Sequence, residues 1–171
     1  MNIFILDYTP EACARAQCEQ HLRSKMLAED AQLLATAFPK SALADPDCPR
    51  SATGSIRGQS HPNHPCARWI RQSRANMLWL IEHARFTEDE RMVRGYNPHK
   101  SIQFVNWCAD NLHLSTVPEG DLTPFAIAIG EEKNCRKHPD FAAADTVEKY
   151  RLYYKCDKPF ATWKRNKPEW Y

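Results

Sequence analysis

In the stretch QHLRSKMLAEDAQLL (20–34), His21, Lys25, Glu29 and Gln32 follow one another at spacings of four, four and three. Those spacings trace one helix face, so an imidazole, an amine, a carboxylate and a carboxamide share a stripe. At 100° per residue with His21 at zero, Gln32 falls near 20°, Lys25 near 40° and Glu29 near 80°. Leu22, Met26 and Leu33 lie immediately beside them, so the stripe borders the apolar face rather than standing opposite it. A group at the edge of a core is partly desolvated and open to tuning by its neighbours. The plain alternative is a surface Lys25–Glu29 pair contributing about 0.3–0.5 kcal/mol, with His21 and Gln32 as bystanders.

The elements that position this stripe are read from caps and period. Thr9 followed by Pro10 and Glu11 starts a helix, expected to run to about Phe38, where Pro39 stops it. The preceding NIFIL is an extended or buried stretch too short to classify by period. Residues 39–64, rich in Pro, Ser, Asp and Gly, form a long flexible loop of the kind that is functional or disordered. CARWIRQSRANMLWLIEHARF restores helical period, with Trp69 and Trp79 facing a core. Thr87 with Glu90 forms a capping box that predicts a new short helix. Gly95 and Pro98 in RGYNPHKS break the helix; SIQFVNWCADNL, with a core-facing Trp107, and AADTVEKYRLYYK supply two more, with a second loop spanning 113–124. With no repeat and no β-hairpin signal, the expectation is a mostly α fold: a single compact helical domain over 1–171 with two long loops. A basic aromatic tail at 157–171 is expected to dock on the body, because Trp163 and Trp170 are too bulky to leave in water.

Net charge is only +2, so attraction to a polyanion is a matter of distribution, not sum. Arg68, Arg71 and Arg74 make a drifting basic stripe; Arg94, His99 and Lys100 sit on or beside the RGYNPHKS turn; Lys164 follows Trp163 in the tail. Basic groups interleaved with aromatics suit a surface that tracks phosphates and stacks bases, and equally suit a wet face over a core. The seven cysteines are scattered without zinc spacing, and HPNHPC (61–66) has no second ligand cluster, so neither a metal nor a cofactor is expected. There is no phosphate-cradling Gly-rich loop, GxSxG elbow or deaminase signature. The N-terminus reads as intact and lacks a basic signal-type region, and no apolar run approaches membrane length, so a cytoplasmic protein without a membrane partner is expected.

The run KMLAEDAQLL, then HPCARWIRQSRANMLWLIEHA, then RGYNPHKS resembles the pyrimidine-dimer DNA glycosylase family of bacteria and phages, the endonuclease V type. The closing TVEKYRLYYK and PFATWKRNKPEWY are similar to a set of short phage proteins, and this second likeness covers nearly the whole chain. The resemblance implies a phage-encoded helical enzyme in the host cytoplasm that kinks double-stranded DNA, extrudes a pyrimidine nucleotide and cuts its glycosidic bond with an amine and a glutamate. Glu29 matches the family's catalytic glutamate, with His21 and Lys25 beside it and Gln32 as an orienting hydrogen-bonder. The resemblance further implies DNA contacts from Gln32, His64, Arg68, Arg71, Arg74, Arg94, His99, Lys100, Trp163 and Lys164. The family's phage prototype attacks with an N-terminal amine exposed when Met is removed before a small residue. Here Asn2 follows, so Met1 is expected to stay, and the amine is that of Met1 or of Lys25, unless glycosidic cleavage is lost. Loss would leave two other readings. One is a thymine-hypermodification enzyme joining an amino acid or amine co-substrate to an activated 5-methylpyrimidine, with Glu29 or His21 as base and Arg71 and Arg94 on the leaving pyrophosphate. The other is a noncatalytic DNA-binding accessory protein.

Overall fold

The computed structural model describes residues 1–171. Eight α-helices and no strand are present: α1 Pro10–Arg15, α2 Glu19–Ser24, α3 Met26–Ala35, α4 Lys40–Ala44, α5 Pro65–Ile70, α6 Arg74–Val93, α7 Ser101–Asp110 and α8 Thr146–Asp157. This is the mostly α single domain expected. No helix is long and apolar enough to cross a membrane.

The first residues do more than lead in. Ile3, Phe4, Ile5 and Leu6 are extended and at most 2% exposed, so the N-terminal segment threads the core. Leu6 N–H donates to Cys13 Sγ at 3.3 Å and the same thiol donates to the Phe4 carbonyl at 3.1 Å, which fastens the segment to α1. Met1 is therefore held on the body of the domain.

The helix expected from Thr9 to Phe38 is three helices. Thr9 does cap α1, its hydroxyl accepting from Ala12 N–H at 3.3 Å, with Pro10 in the first turn. The interruption after it comes from side chains distant in sequence. Arg94 donates to the carbonyls of Arg15 (2.9 Å) and Gln17 (3.0 Å), and Trp163 Nε1–H donates to the Ala16 carbonyl at 3.0 Å. A second break falls at Lys25 (φ −107°, ψ −55°), where Arg91 Nη1 takes the carbonyls of Leu22, at 2.8 Å, and Arg23. Carbonyls that a continuous helix would use internally are thus taken by two arginines and a tryptophan, which local period cannot reveal.

The helix expected from Cys66 onward is broken at Arg71–Ser73. Ser73 caps α6, accepting from Asn76 N–H at 3.2 Å, and Asn76 Nδ2 bridges back to the Trp69 carbonyl at 2.8 Å. The capping box at Thr87 starts nothing: Thr87 is buried inside α6, its hydroxyl accepting from Gln17 Nε2 at 3.3 Å. Gly95 does end α6, with φ +80° and its N–H on the Met92 carbonyl. Residues 39–64 hold α4 and are tied down by Gln59 Nε2 on the Phe38 carbonyl (2.6 Å) and Arg57 Nε on the Pro49 carbonyl (3.1 Å). The second loop runs on to Asp145 and carries two single turns of 3₁₀-helix, at Leu112–Leu114 and Asn134–Lys137. The tail docks: Trp163 meets Tyr171 at 4.5 Å between ring centroids and Trp170 meets Tyr154 at 6.2 Å.

Candidate functional site

The N-terminal segment and α3 meet at Glu29. Met1 N lies 3.6 Å from Glu29 Oε1, Asn2 N–H donates to Glu29 Oε2 at 2.9 Å, and Lys25 Nζ lies 3.8 Å from Oε1. One carboxylate therefore faces two amines and a backbone N–H. The Met1 side chain is 3% exposed, that of Glu29 15% and that of Lys25 43%, so the amine and carboxylate are withdrawn from bulk water and Lys25 borders it.

Asn2 sets this geometry. Its Oδ1 accepts from Tyr150 OH at 3.0 Å and from Cys66 Sγ at 3.5 Å, and its Nδ2 donates to the Ala128 carbonyl at 3.1 Å. Tyr150 is fully buried and also accepts from Ala128 N–H at 2.9 Å. Burial first of all holds the Tyr150 phenol well above its ordinary pKa, so it remains a donor. Asn2 is thus the clamp that places the Met1 amine beside Glu29.

The four-residue stripe divides into three parts. Lys25 and Glu29 stay together. His21 turns into the core: it is 2% exposed, stacks on Phe4 at 4.4 Å between centroids, and its Nδ1 accepts from Tyr154 OH at 2.5 Å. Burial, with Lys25 and Lys158 adding their charge, lowers its pKa to about 3. A neutral, enclosed ring does not fit the catalytic role expected of His21, which shares the Phe4 ring with Lys25 but lies beneath it in the core. Gln32 is exposed and lies on a groove with Arg57, His99 and Lys100.

The expected DNA contacts also divide. His64 is half-buried at the start of α5, its Nδ1 accepting from Cys66 N–H at 3.2 Å. Burial lowers its pKa, with the Met1 ammonium and His61 acting in the same sense and Glu29 opposing, which places it within electrostatic range of the centre. Arg68 is exposed, Arg71 Nη2 donates to the Pro62 carbonyl at 2.6 Å, and Arg74 pairs with Glu119 at 3.0 Å. Arg94 is a correction: its side chain is 0% exposed, paired with Glu19 at 2.9 Å and Glu90 at 2.7 Å, and cannot touch DNA in this fold. Trp163 is likewise occupied by its contacts with Ala16, Tyr154 and Tyr171. Lys164 is exposed, with Nζ 4.6 Å from the centroid of the Tyr96 ring.

Two cations outside the expected site residues bear on this region, Lys158 from the basic tail and Arg57, which the sequence reading did not single out. Lys158 Nζ sits 5.4 Å from the Phe4 ring centroid, against 5.7 Å for Lys25 Nζ, so both amines flank one buried ring. Arg57, the lone arginine of SATGSIRGQS, projects onto the groove beside α3. Its only signal in the sequence was a cation inside a Ser- and Gly-rich loop. No group of three or more His, Cys, Asp or Glu side chains is arranged to hold a metal ion. No family model, curated protein or solved structure matches the chain.

Proposed function

We propose that this protein acts on a pyrimidine nucleotide in double-stranded DNA as a glycosylase and abasic-site lyase, with the Met1 α-amine as nucleophile and Glu29 as proton carrier. The observation that carries the reading is the Met1 amine 3.6 Å from Glu29 Oε1, fixed by an Asn2 whose side chain is bonded at both ends. In peptides α-amines titrate near 7.7–8.0 and lysine amines near 10.4, so an α-amine supplies its unprotonated form more readily at neutral pH.

The chemistry follows in balanced steps. An extruded nucleotide presents C1′ to the amine. The nitrogen lone pair forms the C1′–N bond as the glycosidic bond breaks, and its electron pair leaves with the base. Glu29 takes the proton that the nitrogen sheds and returns it to the ring oxygen as the sugar opens to an iminium. The carboxylate then removes a C2′ proton, the 3′ C–O bond breaks, and the phosphate departs with its electrons. Water hydrolyses the remaining imine and frees the amine. Lys25, 3.8 Å from the same carboxylate, holds Glu29 in place and faces the incoming backbone. The order of KMLAEDAQLL, HPCARWIRQ and RGYNPHKS, which resembles the glycosylase family, supports the same assignment.

The test is strand cleavage on duplexes carrying an abasic site, a thymine dimer or a modified thymine. Cleavage by the native protein, lost in Glu29→Gln while duplex binding persists, is the expected result. Cleavage that survives Glu29→Gln, or absence of cleavage on all three duplexes, would overturn the proposal.

A further inference from the structure

We propose that the groove between α3 and the 51–60 loop is a phosphate-binding subsite anchored by Arg57, taking the phosphodiester that flanks the reacting nucleotide. The inference rests on the DNA reading for the source of the phosphate and on the groove itself for the chemistry.

Two adjoining cavities, of about 380 and 410 Å³, share Gln32, Ser51 and Arg57 and together make the groove. Arg57, His99 and Lys100 bring the charge. The other lining residues are amides, hydroxyls or small and aliphatic groups, and no carboxylate is among them. Such a lining attracts an anion and leaves a cation nothing to pair with.

Arg57 is the unusual member. It is half-buried, with its guanidinium carbon 4.4 Å from the Phe104 ring centroid, and its Nε donates to the Pro49 carbonyl at 3.1 Å. Nη2 reaches the Arg50 carbonyl only at 3.5 Å, which leaves most of the fork unused. Arg74, Arg91, Arg94 and Arg151 each meet a carboxylate within 3.1 Å, whereas Arg57 meets none. The thiols of Cys48 and Cys108 near it are pushed up by burial and stay neutral, so they supply no counter-charge. A desolvated guanidinium on an aromatic floor, with Nη1 unbonded and Nη2 only weakly engaged, is a rigid fork suited to phosphate oxygens.

His99 completes the donor set. Its Nδ1 accepts from Ser101 N–H at 3.2 Å, so the neutral ring carries its proton on Nε2 and offers a donor. Ala28 and Gln32 of α3 line the groove on either side of Glu29 in sequence. At 1.5 Å of rise per residue Gln32 is about 4.5 Å along the helix from Glu29, the next position for a strand whose nucleotide occupies the Met1–Glu29 centre.

The test compares native protein, Arg57→Gln and Lys100→Gln in two titrations. The first measures the salt dependence of binding to an abasic-site duplex; the second follows the amides of residues 51–60 by NMR as inorganic phosphate is added. Loss of one phosphate contact lowers the slope of log K against log salt by about 0.9. Native binding with a slope smaller by about that amount in each variant is the expected result. Lys100 is exposed, so its variant folds regardless of what Arg57 does for the loop. Duplex binding with the same slope in all three proteins would overturn the subsite and leave the amine–carboxylate reading standing. Phosphate-induced shifts in native protein and not in Arg57→Gln, without duplex binding, would support the subsite and remove the DNA reading. No duplex binding and no phosphate response would overturn both.

Discussion

His21 yields the most quantitative prediction. The Tyr154 phenol, raised well above its usual pKa foremost by burial, keeps its proton and can donate it to Nδ1 of a neutral His21 ring. Burial penalises the charged ring, and the charges of Lys25 and Lys158 add to that, so the folded pKa falls from 6.5 to about 3. Below pH 6.5 the unfolded chain binds a proton that the native state refuses, so stability falls as pH falls from 6.5 towards 3. Between pH 7.5 and 5 the integrated loss from this one group is about 2 kcal/mol, with a limiting slope of about 1.4 kcal/mol per pH unit. Urea unfolding at half-unit steps from pH 7.5 to 5 measures it, in a range above the titration of most carboxylates. His21→Asn keeps an acceptor for Tyr154 and removes the titration. The difference between native and variant profiles therefore isolates His21 from His64 and His99, whose pKa values burial also lowers. Parallel profiles for the two proteins would refute the claim that His21 is a neutral core acceptor and reopen its role as an acid or base.

Other substitutions probe different parts of the account. His83, enclosed in the core, has its pKa drawn down by burial but raised more strongly by Asp30 at 3.2 Å and by Cys13, to about 10. Burial raises the Asp30 carboxyl as well, with His83 opposing, so the pair contributes most near neutral pH and its contribution is lost as pH rises from 6.5 towards 10; Asp30→Asn should flatten the alkaline limb of a urea stability profile. Arg94→Gln leaves Glu19 and Glu90 facing each other's surroundings without their shared cation and releases the carbonyls that divide α1 from α2. A loss of about 3–5 kcal/mol in urea unfolding is expected, with unfolded protein at 37 °C as the extreme form. Asn2→Leu retains Met1 but removes three side-chain bonds, so about 2–3 kcal/mol of stability and most of the cleavage rate should go together. Single-turnover cleavage read beside urea midpoints would expose any uncoupling of the two.

What was legible in the sequence was local. Thr9 with Pro10 and Gly95 mark helix ends because caps satisfy backbone groups a few residues away. Trp69, Trp79 and Trp107 were read as core and are at most 9% exposed, because their bulk leaves little alternative. What failed was set at long range. No helical period discloses that Arg91, Arg94 and Trp163 take carbonyls from residues 15–17, 22 and 23, and those bonds cut one long helix into three. His21 turns into the core on Phe4 and Gln32 faces the Arg57 groove, so the projected stripe keeps only Lys25 and Glu29 together, the two that matter to the proposed chemistry. The clamp around Asn2 joins residues 2, 66, 128 and 150 and was invisible for the same reason.

The central claim is that a free α-amine, held by Asn2 against Glu29, is the attacking group. Borohydride added to a reaction on an abasic-site duplex would freeze the iminium, and peptide mapping of the adduct would locate the nitrogen. The account predicts a covalent adduct on the Met1 amine, sharply reduced in Asn2→Leu. An adduct mapping to Lys25, Lys158 or any other side chain, or none at all, would contradict it.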